Sequence, residues 1–155
     1  MVISKYLIMH VLGHFGTAID FRGGYMIPTQ EAAMTTKESR RTPMTLNVFL
    51  GDNDEIVHLG GLYLDDGDSI DAEIDNYSYV EFSLYEGHLL KNFPITTKYK
   101  DYEFVIGTVL IIGMKENVTN VIVNNGIHED FEDGQFLRIY NLNLDPTTPF
   151  EILWS

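Results

Sequence analysis

The sequence contains no cysteine. This absence excludes disulfides, a thiolate nucleophile, and zinc or iron–sulfur sites built on cysteine. It leaves the cellular compartment open, because a secreted domain with a good hydrophobic core needs no disulfide.

Basic residues are scarce. The chain has 10 Lys and Arg against 23 Asp and Glu, which gives a formal net charge of −13. This charge repels a phosphate backbone, so we predict no nucleic-acid partner, and it disfavours an anionic membrane surface. Residues 42 to 90 hold eleven acids and no Lys or Arg. We expect one face or end of the protein to be strongly negative, which is most often a solvated surface.

Long apolar runs are also missing. No stretch approaches the length of about 18 apolar residues that a membrane-spanning helix needs, so we predict no membrane insertion. The segment Met1–Gly16 has an early Lys5 and an apolar patch, but His10 interrupts the patch and no small-residue cleavage pattern follows. We interpret this segment as a buried or edge segment rather than a signal peptide.

What is present indicates β structure. Apolar residues make up 45% of the 155 residues, which is enough for the core of one domain. Turn-forming pairs recur at short intervals, and in Tyr77–Tyr85 the side chains alternate as in a strand with one buried face. Further strands are predicted over Met44–Leu50, Glu103–Ile112, Thr119–Val123, Phe136–Leu144 and Phe150–Trp154. Glu31–Ser39 is compatible with a turn or two of helix, stopped by Pro43. The pattern predicts an all-β protein, an antiparallel β-sandwich of roughly 8 to 10 short strands with little or no helix.

A loop rich in carboxylates is the first candidate site. Asp65, Asp66, Asp68 and Asp71 surround Gly67, and a hard cation such as Ca²⁺ binds clustered carboxylates. The EF-hand pattern does not fit, because placing its glycine at Gly67 puts a leucine at the first ligand position. Asp-Asp-Gly is also a common turn in which Asp side chains bind their own backbone amides. We favour the turn over a metal site and predict no cofactor.

No catalytic motif emerges. The histidines are scattered, at His10, His14, His58, His88 and His128. The helical zinc-protease pattern, the Gly-x-Ser-x-Gly elbow and glycine-rich phosphate loops are absent. A glycosidase pair needs two acids roughly 5 to 10 Å apart, one of them in an apolar cleft that raises its pKa. The sequence singles out no such pair, so we predict no catalytic residue in this chain.

Tyr77, Tyr79 and Tyr85 share one face of a predicted strand. They are candidates for a platform on which a sugar stacks; the competing interpretation is cross-strand packing with the hydroxyls at the surface. Asn76 and Asn117 each begin an Asn-x-Ser/Thr triplet, which accepts an N-glycan if the chain enters a secretory lumen.

The block from Arg22 to Leu50 is the most distinctive part of the sequence. It resembles the segment R-G-G-Y-I-I-P-x-Q…T-T…S-R-x-x-P that enters the distal C-terminal β domain of the glycoside hydrolase family 31 α-glucosidases (the acid maltase, sucrase-isomaltase and maltase-glucoamylase group). Residues 61–71 resemble the same family's G-E-L-[FY]-W-D-D-G-[EQ]-S-x-[DE]. Residues 111–113, 121–126 and 151–155 resemble its later strands and turns. The motif residues, expected to be structural, are Arg22, Gly23, Gly24, Tyr25, Pro28, Ser39, Arg40, Pro43, Asp65, Asp66 and Gly67.

The resemblance covers residues 21–155 and implies that they form the distal β-sandwich, with residues 1–20 as a diverged or unrelated segment. The family hydrolyses α-glucosides with two Asp residues on a (β/α)₈ barrel. Such a barrel needs about 250 residues, so this chain does not contain one. The implied function is structural support of that barrel and of the proximal β domain. The sequence departs from the motif at Ala32, Gly61 and Leu64, where the family has Pro, Glu and Trp.

Two other functions remain open at this point. One is a carbohydrate-binding module that uses the tyrosine face to bind an α-glucan, and the other is an acidic protein-interaction domain. If the chain is an isolated support domain, the apolar surface that faces its barrel is exposed. We therefore expect weak self-association, opposed by the net negative charge.

Overall fold

The computed structural model describes residues 7–9, 19–21, 23–51, 60–67, 76–100 and 104–155. This part of the chain forms thirteen strands and a single helical turn, which confirms the predicted all-β fold. The strands are β1 Leu7–Met9, β2 Ile19–Phe21, β3 Tyr25–Thr29, β4 Met44–Phe49, β5 Gly60–Leu64, β6 Ser78–Tyr85, β7 Leu89–Thr97, β8 Ile106–Ile112, β9 Val121–Val123, β10 Gly126–Ile127, β11 Phe131–Glu132, β12 Leu137–Ile139 and β13 Glu151–Trp154, and the helical turn is α1 Thr36–Ser39.

Two sheets form the sandwich. The six-stranded sheet has the order β10-β9-β13-β7-β6-β5, and the five-stranded sheet has the order β11-β12-β8-β4-β3. β1 and β2 pair only with each other in the described residues. β4 and β8 run parallel, whereas the other described pairs are antiparallel. Between β4 and β8 the chain forms β5, β6 and β7, which belong to the opposite sheet. It then crosses back, so that β8 lies beside β4 and runs in the same direction.

The period of two predicted in Tyr77–Tyr85 is confirmed in β6. Ser78, Val80, Phe82 and Leu84 are buried, while the residues between them are partly exposed. β5 alternates in the same way, and β4 does so up to Val48, after which Phe49 is buried as well. The buried side chains of both sheets form one apolar core, in which the rings of Phe82 and Phe150 lie 6.4 Å apart between centroids. This core fixes the outward face of each strand.

Several predicted bounds change. The strand predicted from Glu103 begins at Ile106, and the one predicted over Phe136–Leu144 shrinks to β12, with Leu144 bridging separately to Ile106. The short helix covers only Thr36–Ser39, where the Thr35 hydroxyl accepts a hydrogen bond from the Glu38 amide. The pattern does not predict β1, β2, β3, β5, β7, β10 or β11. β7 contains Asn92 and Pro94 and skips a residue opposite β6, which hides its alternation.

Asn92 joins a loop to the six-stranded sheet from inside the protein. Asn92 as a whole residue is 3% exposed. Its Nδ2 donates to the carbonyl oxygens of Pro146 and Thr148 at 2.7 and 2.9 Å, and its Oδ1 accepts from the Phe150 amide at 2.6 Å. We call this set of three hydrogen bonds the Asn92 clasp. It satisfies a buried amide and holds the approach to β13.

At one edge the two sheets come close together. A Cβ atom placed on Gly60 would lie 2.6 Å from the Met26 Cβ atom, a distance that packed side chains do not adopt. Gly60 therefore allows β5 to approach β3 across the sandwich. Among the described residues, no helix has the length and apolar character needed to cross a membrane.

Candidate functional site

Arg40 and Asp65 link the loop after α1 to the loop after β5. The Arg40 guanidinium donates to the Asp65 backbone oxygen at 3.1 Å and to Asp65 Oδ1 at 2.9 Å. The same Oδ1 atom accepts a hydrogen bond from the Gly67 amide at 2.9 Å. The side chains are 34% and 26% exposed. We call this arrangement the Arg40–Asp65 latch, and it joins the two sequence blocks that carry the family resemblance.

Gly67 completes the latch. Its φ angle is +75°, and a Cβ atom at this position would lie 2.5 Å from Arg40 Nη1. A side chain here would be strained by the backbone conformation and would also displace the guanidinium. The Asp-Asp-Gly sequence therefore forms a turn in which Asp65 binds the Arg40 guanidinium.

The latch changes the interpretation of the acidic loop. The Asp65 carboxylate is engaged by Arg40 and Gly67, and Asp68 and Asp71 lie outside the described residues. Across the described ranges, no group of three or more His, Asp or Glu side chains is placed to hold a metal ion. A metal site at this loop has no support from the part of it that the structure describes.

Other motif residues also make backbone contacts. Gly24 has a φ angle of +96°, and its amide donates to the Phe49 oxygen at 2.7 Å. The Ser39 hydroxyl donates to the Glu31 oxygen at 2.8 Å. A Cβ on Gly23 would lie 2.7 Å from the Leu50 oxygen. These contacts close the turns on either side of β3 and α1. Pro43 packs against Gly107. Tyr25 and Pro28 lie on β3, and Asp66 lies in the loop after β5. Arg22 lies outside the described residues.

The three candidate tyrosines do not form one platform. Tyr77 stacks on Tyr63, with 5.3 Å between ring centroids and 15° between ring planes. Tyr79 lies opposite Tyr63 in the β5–β6 register, and its ring lies over Gly61. Tyr85 is at the other end of β6, six residues or roughly 20 Å along the strand from Tyr79. Sequence reasoning missed Tyr63 because β5 was not among the predicted strands.

Exposed apolar side chains continue this region onto β7. Phe93 pairs with Glu81 across the strands and is 38% exposed, while Ile95 is 59% exposed and Tyr63 is 46% exposed. We call Tyr63, Tyr77, Tyr79, Phe93 and Ile95 the outer patch of the six-stranded sheet. Large exposed apolar patches in soluble proteins mark interaction surfaces.

A cavity of about 390 Å³ lies at one end of the sandwich, and we call it the end cavity. Its lining comes from the end of β4, the β6–β7 turn, the β8–β9 loop and the end of β13. The lining residues are Leu50, Gly51, Glu86, Gly87, His88, Gly113, Met114, Lys115, Glu116, Asn117, Val118, Trp154 and Ser155. No sequence motif predicts this site, because its lining is assembled from four separate segments.

The β6–β7 turn beside the cavity is held in place on two sides. Glu86 and Gly87 both have positive φ angles, of 50° and 73°, and the His88 amide donates to the Tyr85 oxygen at 3.1 Å. His88 Nδ1 lies 2.6 Å from the Glu86 oxygen, a contact that requires the hydrogen on Nδ1. The Trp154 amide donates to the His88 oxygen at 3.1 Å, which fixes the turn against β13.

Comparison with known proteins identifies the family. No profile of a known protein family matches the chain. It is 34% identical over 150 residues to intestinal sucrase-isomaltase of Oryctolagus cuniculus, covering 88% of this chain and 8% of that protein. It is 36% identical over 140 residues to glucoamylase 1 of Candida albicans, covering 88% of this chain and 13% of that protein. The chain belongs to glycoside hydrolase family 31.

A solved structure supports the fold of this family 31 chain. The GH31 dextranase of Flavobacterium johnsoniae superposes with a TM-score of 0.66 at 16% identity, over 90% of this chain and 20% of the dextranase. The family 31 chain thus spans only a small part of the enzymes that it matches. The resemblance predicted from Arg22–Leu50 and from residues 61–71 is confirmed.

The two glycosylation triplets of this family 31 chain differ in their surroundings. Asn76 is exposed, but Ser78 of its triplet is fully buried and donates to the Tyr99 oxygen at 3.0 Å. Asn117 is exposed and lines the end cavity, and Thr119 of its triplet donates to the Ser155 oxygen at 3.1 Å. Use of either triplet stays a prediction.

Proposed function

We propose that residues 21–155 are the distal C-terminal domain of a family 31 α-glucosidase and perform no catalysis themselves. In this proposal residues 1–20 are a separate, diverged segment, and the parent enzyme hydrolyses α-glucosides of the maltose or starch type. The observation that carries the proposal is a match over 88% of this chain that spans only 8% of sucrase-isomaltase. The domain supports a catalytic (β/α)₈ barrel and a proximal β domain supplied by other residues.

The outer patch is the surface that we assign to this support. Tyr63, Phe93 and Ile95 are 46%, 38% and 59% exposed, and they lie on β5 and β7, the two strands that flank β6 in one sheet. Covering such a surface with a second domain removes apolar area from water, at about 25 cal/mol for each Å². Most of the length of the relatives lies outside the matched segment. In this proposal those other residues form the domain that covers the outer patch.

The absence of catalysis is tested with the full chain. Maltose and a chromogenic α-glucoside should show no turnover, with a complete family 31 α-glucosidase as the positive control. Reproducible hydrolysis that a single Asp or Glu substitution abolishes would show that the chain carries its own catalytic site.

The supporting role is tested with a chimera. Residues 21–155 replace the homologous segment of the Candida albicans glucoamylase, and the chimera should remain folded and active. Phe93→Asp and Ile95→Asp together should lower its thermal midpoint, whereas Glu151→Gln on the same sheet should change it far less. A chimera that is indifferent to charges at Phe93 and Ile95 would place the interface elsewhere.

The isolated chain should self-associate weakly through the outer patch. Light scattering should report a larger mean mass as salt screens the charge of −13. Phe93→Ser combined with Ile95→Ser should return the mass to that of a monomer. A clean monomer of the unchanged chain at high concentration and high salt contradicts this expectation.

A carbohydrate module on the tyrosine face has weaker support. The rings of Tyr63 and Tyr77 stack on each other, so one face of each ring is already occupied. Calorimetric titration with malto-oligosaccharides decides the question, and heat that Tyr63→Ala or Tyr79→Ala abolishes would favour that function. The acidic-interaction hypothesis predicts partner binding that weakens steeply with salt.

A further inference from the structure

An apolar row of side chains crosses the outer face of the six-stranded sheet beside the β6–β7 turn. Each member lies directly opposite the next one on the neighbouring strand. Along β6, β7, β13 and β9 the members alternate with buried core residues, so the row faces away from the core. Its five strands are spaced by about 4.8 Å, which makes it roughly 19 Å long. We call it the cross-strand row, and its members are Tyr85, Leu89, Leu153, Ile122 and Ile127.

The cross-strand row is separate from the outer patch. A polar row formed by Ser83, Lys91 and Glu151 runs between the two on the same face. Tyr85 and Ile127, at the ends of the cross-strand row, are 39% and 84% exposed, and its three central members are partly exposed. Five of the seven exposed large apolar side chains in the described ranges lie on this face of the six-stranded sheet. The sheet therefore presents two apolar areas to a partner.

An outward apolar pair on the other sheet is already covered. Phe49 and Ile112 lie opposite each other on β4 and β8. They follow the core residues Val48 and Ile111 and do not belong to the core cluster, so they face outward. Phe49 is nevertheless 2% exposed, and Ile112 is 6% exposed. The contrast identifies the cross-strand row as apolar surface for which the described residues provide no cover.

The shape of the row favours a helix over an added strand. β7, β13 and β9 are hydrogen-bonded to strands on both sides, so their backbone groups cannot pair with a further strand. A partner therefore binds through side chains. The row is one side chain wide and has polar neighbours, and an amphipathic helix presents a long, narrow apolar stripe of the same form. At about 1.5 Å per residue, roughly 13 residues of helix span the length of the row.

The size of the row favours a partner within the same protein. Separate chains usually need about 800 Å² of buried surface from each partner for a stable interface. Five side chains, three of which are partly covered by their neighbours, offer less than that. Two parts of one chain meet at a high effective concentration and need a smaller contact. The relatives that this chain matches continue far beyond it, since it covers 8% of sucrase-isomaltase and 13% of the glucoamylase.

We propose that the cross-strand row binds an amphipathic α-helix from the part of the parent enzyme that lies outside this chain. The inference rests on the proposed function. It adds to the outer patch a second contact area and names the kind of structure that covers it. The net charge of −13 opposes two other occupants of an apolar row, an anionic membrane surface and a second copy of the chain.

Substitutions at the two ends of the row test the contact. In the chimera with the Candida albicans glucoamylase, Tyr85→Lys and Ile127→Lys, made singly, should each lower the thermal midpoint of activity by about 2 °C or more. The same substitutions should change the urea midpoint of the full chain alone very little, because both side chains are exposed there. Met34→Lys is the matched control, since Met34 is 95% exposed and lies outside the six-stranded sheet. It should leave both midpoints unchanged.

Photocrosslinking identifies the structure that covers the row. Tyr85 and Ile127 are replaced in turn by p-benzoylphenylalanine in the chimera, and mass spectrometry locates the residues that become crosslinked. Both positions should react with a single α-helix in the glucoamylase part of the chimera, at sites roughly 10 to 15 residues apart.

The outcomes separate this inference from the proposed function. A folded, active chimera in which Tyr85→Lys and Ile127→Lys behave like Met34→Lys would overturn the helix contact and leave the supporting role intact. An equal loss of stability in the full chain alone would also overturn it, because the row would then stabilise the sandwich itself. Crosslinks to strands, to two unconnected segments or to a second copy of the chain would assign the row to a different partner. A chimera that does not fold or has no activity would contradict the proposed function, and the helix contact with it.

Discussion

The Asn92 clasp and the Arg40–Asp65 latch are two ways in which this sandwich holds its loops. The clasp is uncharged, and Asn92 at its centre is 3% exposed as a whole residue. It consists of three hydrogen bonds to backbone groups of residues 146–150. The latch is charged, and its side chains are 34% and 26% exposed. It is the latch, not the clasp, that lies in the sequence blocks from which the family was predicted.

The difference shows that a recognisable motif is not necessarily the strongest contact. Removing one partner of a buried hydrogen bond leaves the other without water, at about 1 to 3 kcal/mol for each orphaned group. At a partly exposed ion pair such as the latch, water replaces a lost partner. Ion pairs that are fully exposed contribute only about 0 to 1 kcal/mol. We therefore expect the clasp to matter more for stability than the latch.

Asn92→Ala tests the larger side of this comparison. It leaves the Pro146 oxygen and the Phe150 amide without their partner in the interior, and the Thr148 oxygen without it at a partly buried position, so we expect the free energy of unfolding to fall by about 2 to 4 kcal/mol. Urea denaturation measures the loss. Asn47→Ala is the matched control, because Asn47 also donates to a backbone oxygen, that of Ile27 at 3.1 Å, but is only partly buried. Equal losses in the two variants would mean that burial does not set the difference.

Gly67→Ala tests the latch through its geometry. A φ of +75° costs an alanine about 1 to 2 kcal/mol, and the added methyl group also displaces the Arg40 guanidinium. The expected total is about 2 kcal/mol. In an Arg40→Ala background the cost should shrink to the conformational part alone. Gly134→Ala, with nothing within 4 Å of the added Cβ, should be nearly neutral. Additivity of Gly67→Ala and Arg40→Ala would show that the two residues are not coupled.

The sequence predicted features that depend on local pattern. The alternation in Tyr77–Tyr85 identified β6 and its buried face, and the all-β fold followed from turns at short intervals. An Asn-Gly pair favours the centre of a tight turn, but in the β9–β10 turn Asn124 and Asn125 take the two central positions and Gly126 pairs with Val123. Two asparagines tolerate the left-handed conformation, so the glycine is not needed at the centre.

Features that join distant segments could not be predicted in the same way. The parallel pairing of β4 with β8 depends on where the chain returns after crossing to the other sheet. The end cavity needs four segments to meet, and the outer patch needs Tyr63 beside Tyr77. Hydrophobic periodicity fixes which face of a strand is buried, but it contains no information about which strands become neighbours.

The smallest expected effect comes from the charges themselves. Lys91 and Glu151 lie opposite each other on β7 and β13 with 3.1 Å between Nζ and Oε2, and their side chains are 37% and 39% exposed. Glu151→Gln should cost no more than about 0.5 kcal/mol, whereas Asp65→Ala should cost about 1 kcal/mol because it also removes the oxygen that accepts from the Gly67 amide. Urea denaturation at low and at high salt separates the contribution of charge from that of the hydrogen bond. Salt should remove the small effect at Glu151 and leave most of the effect at Asp65, since hydrogen-bond geometry is not screened. If high salt erased both effects, the latch would be an ordinary surface ion pair, and its part in positioning the Asp-Asp-Gly turn would have to be abandoned.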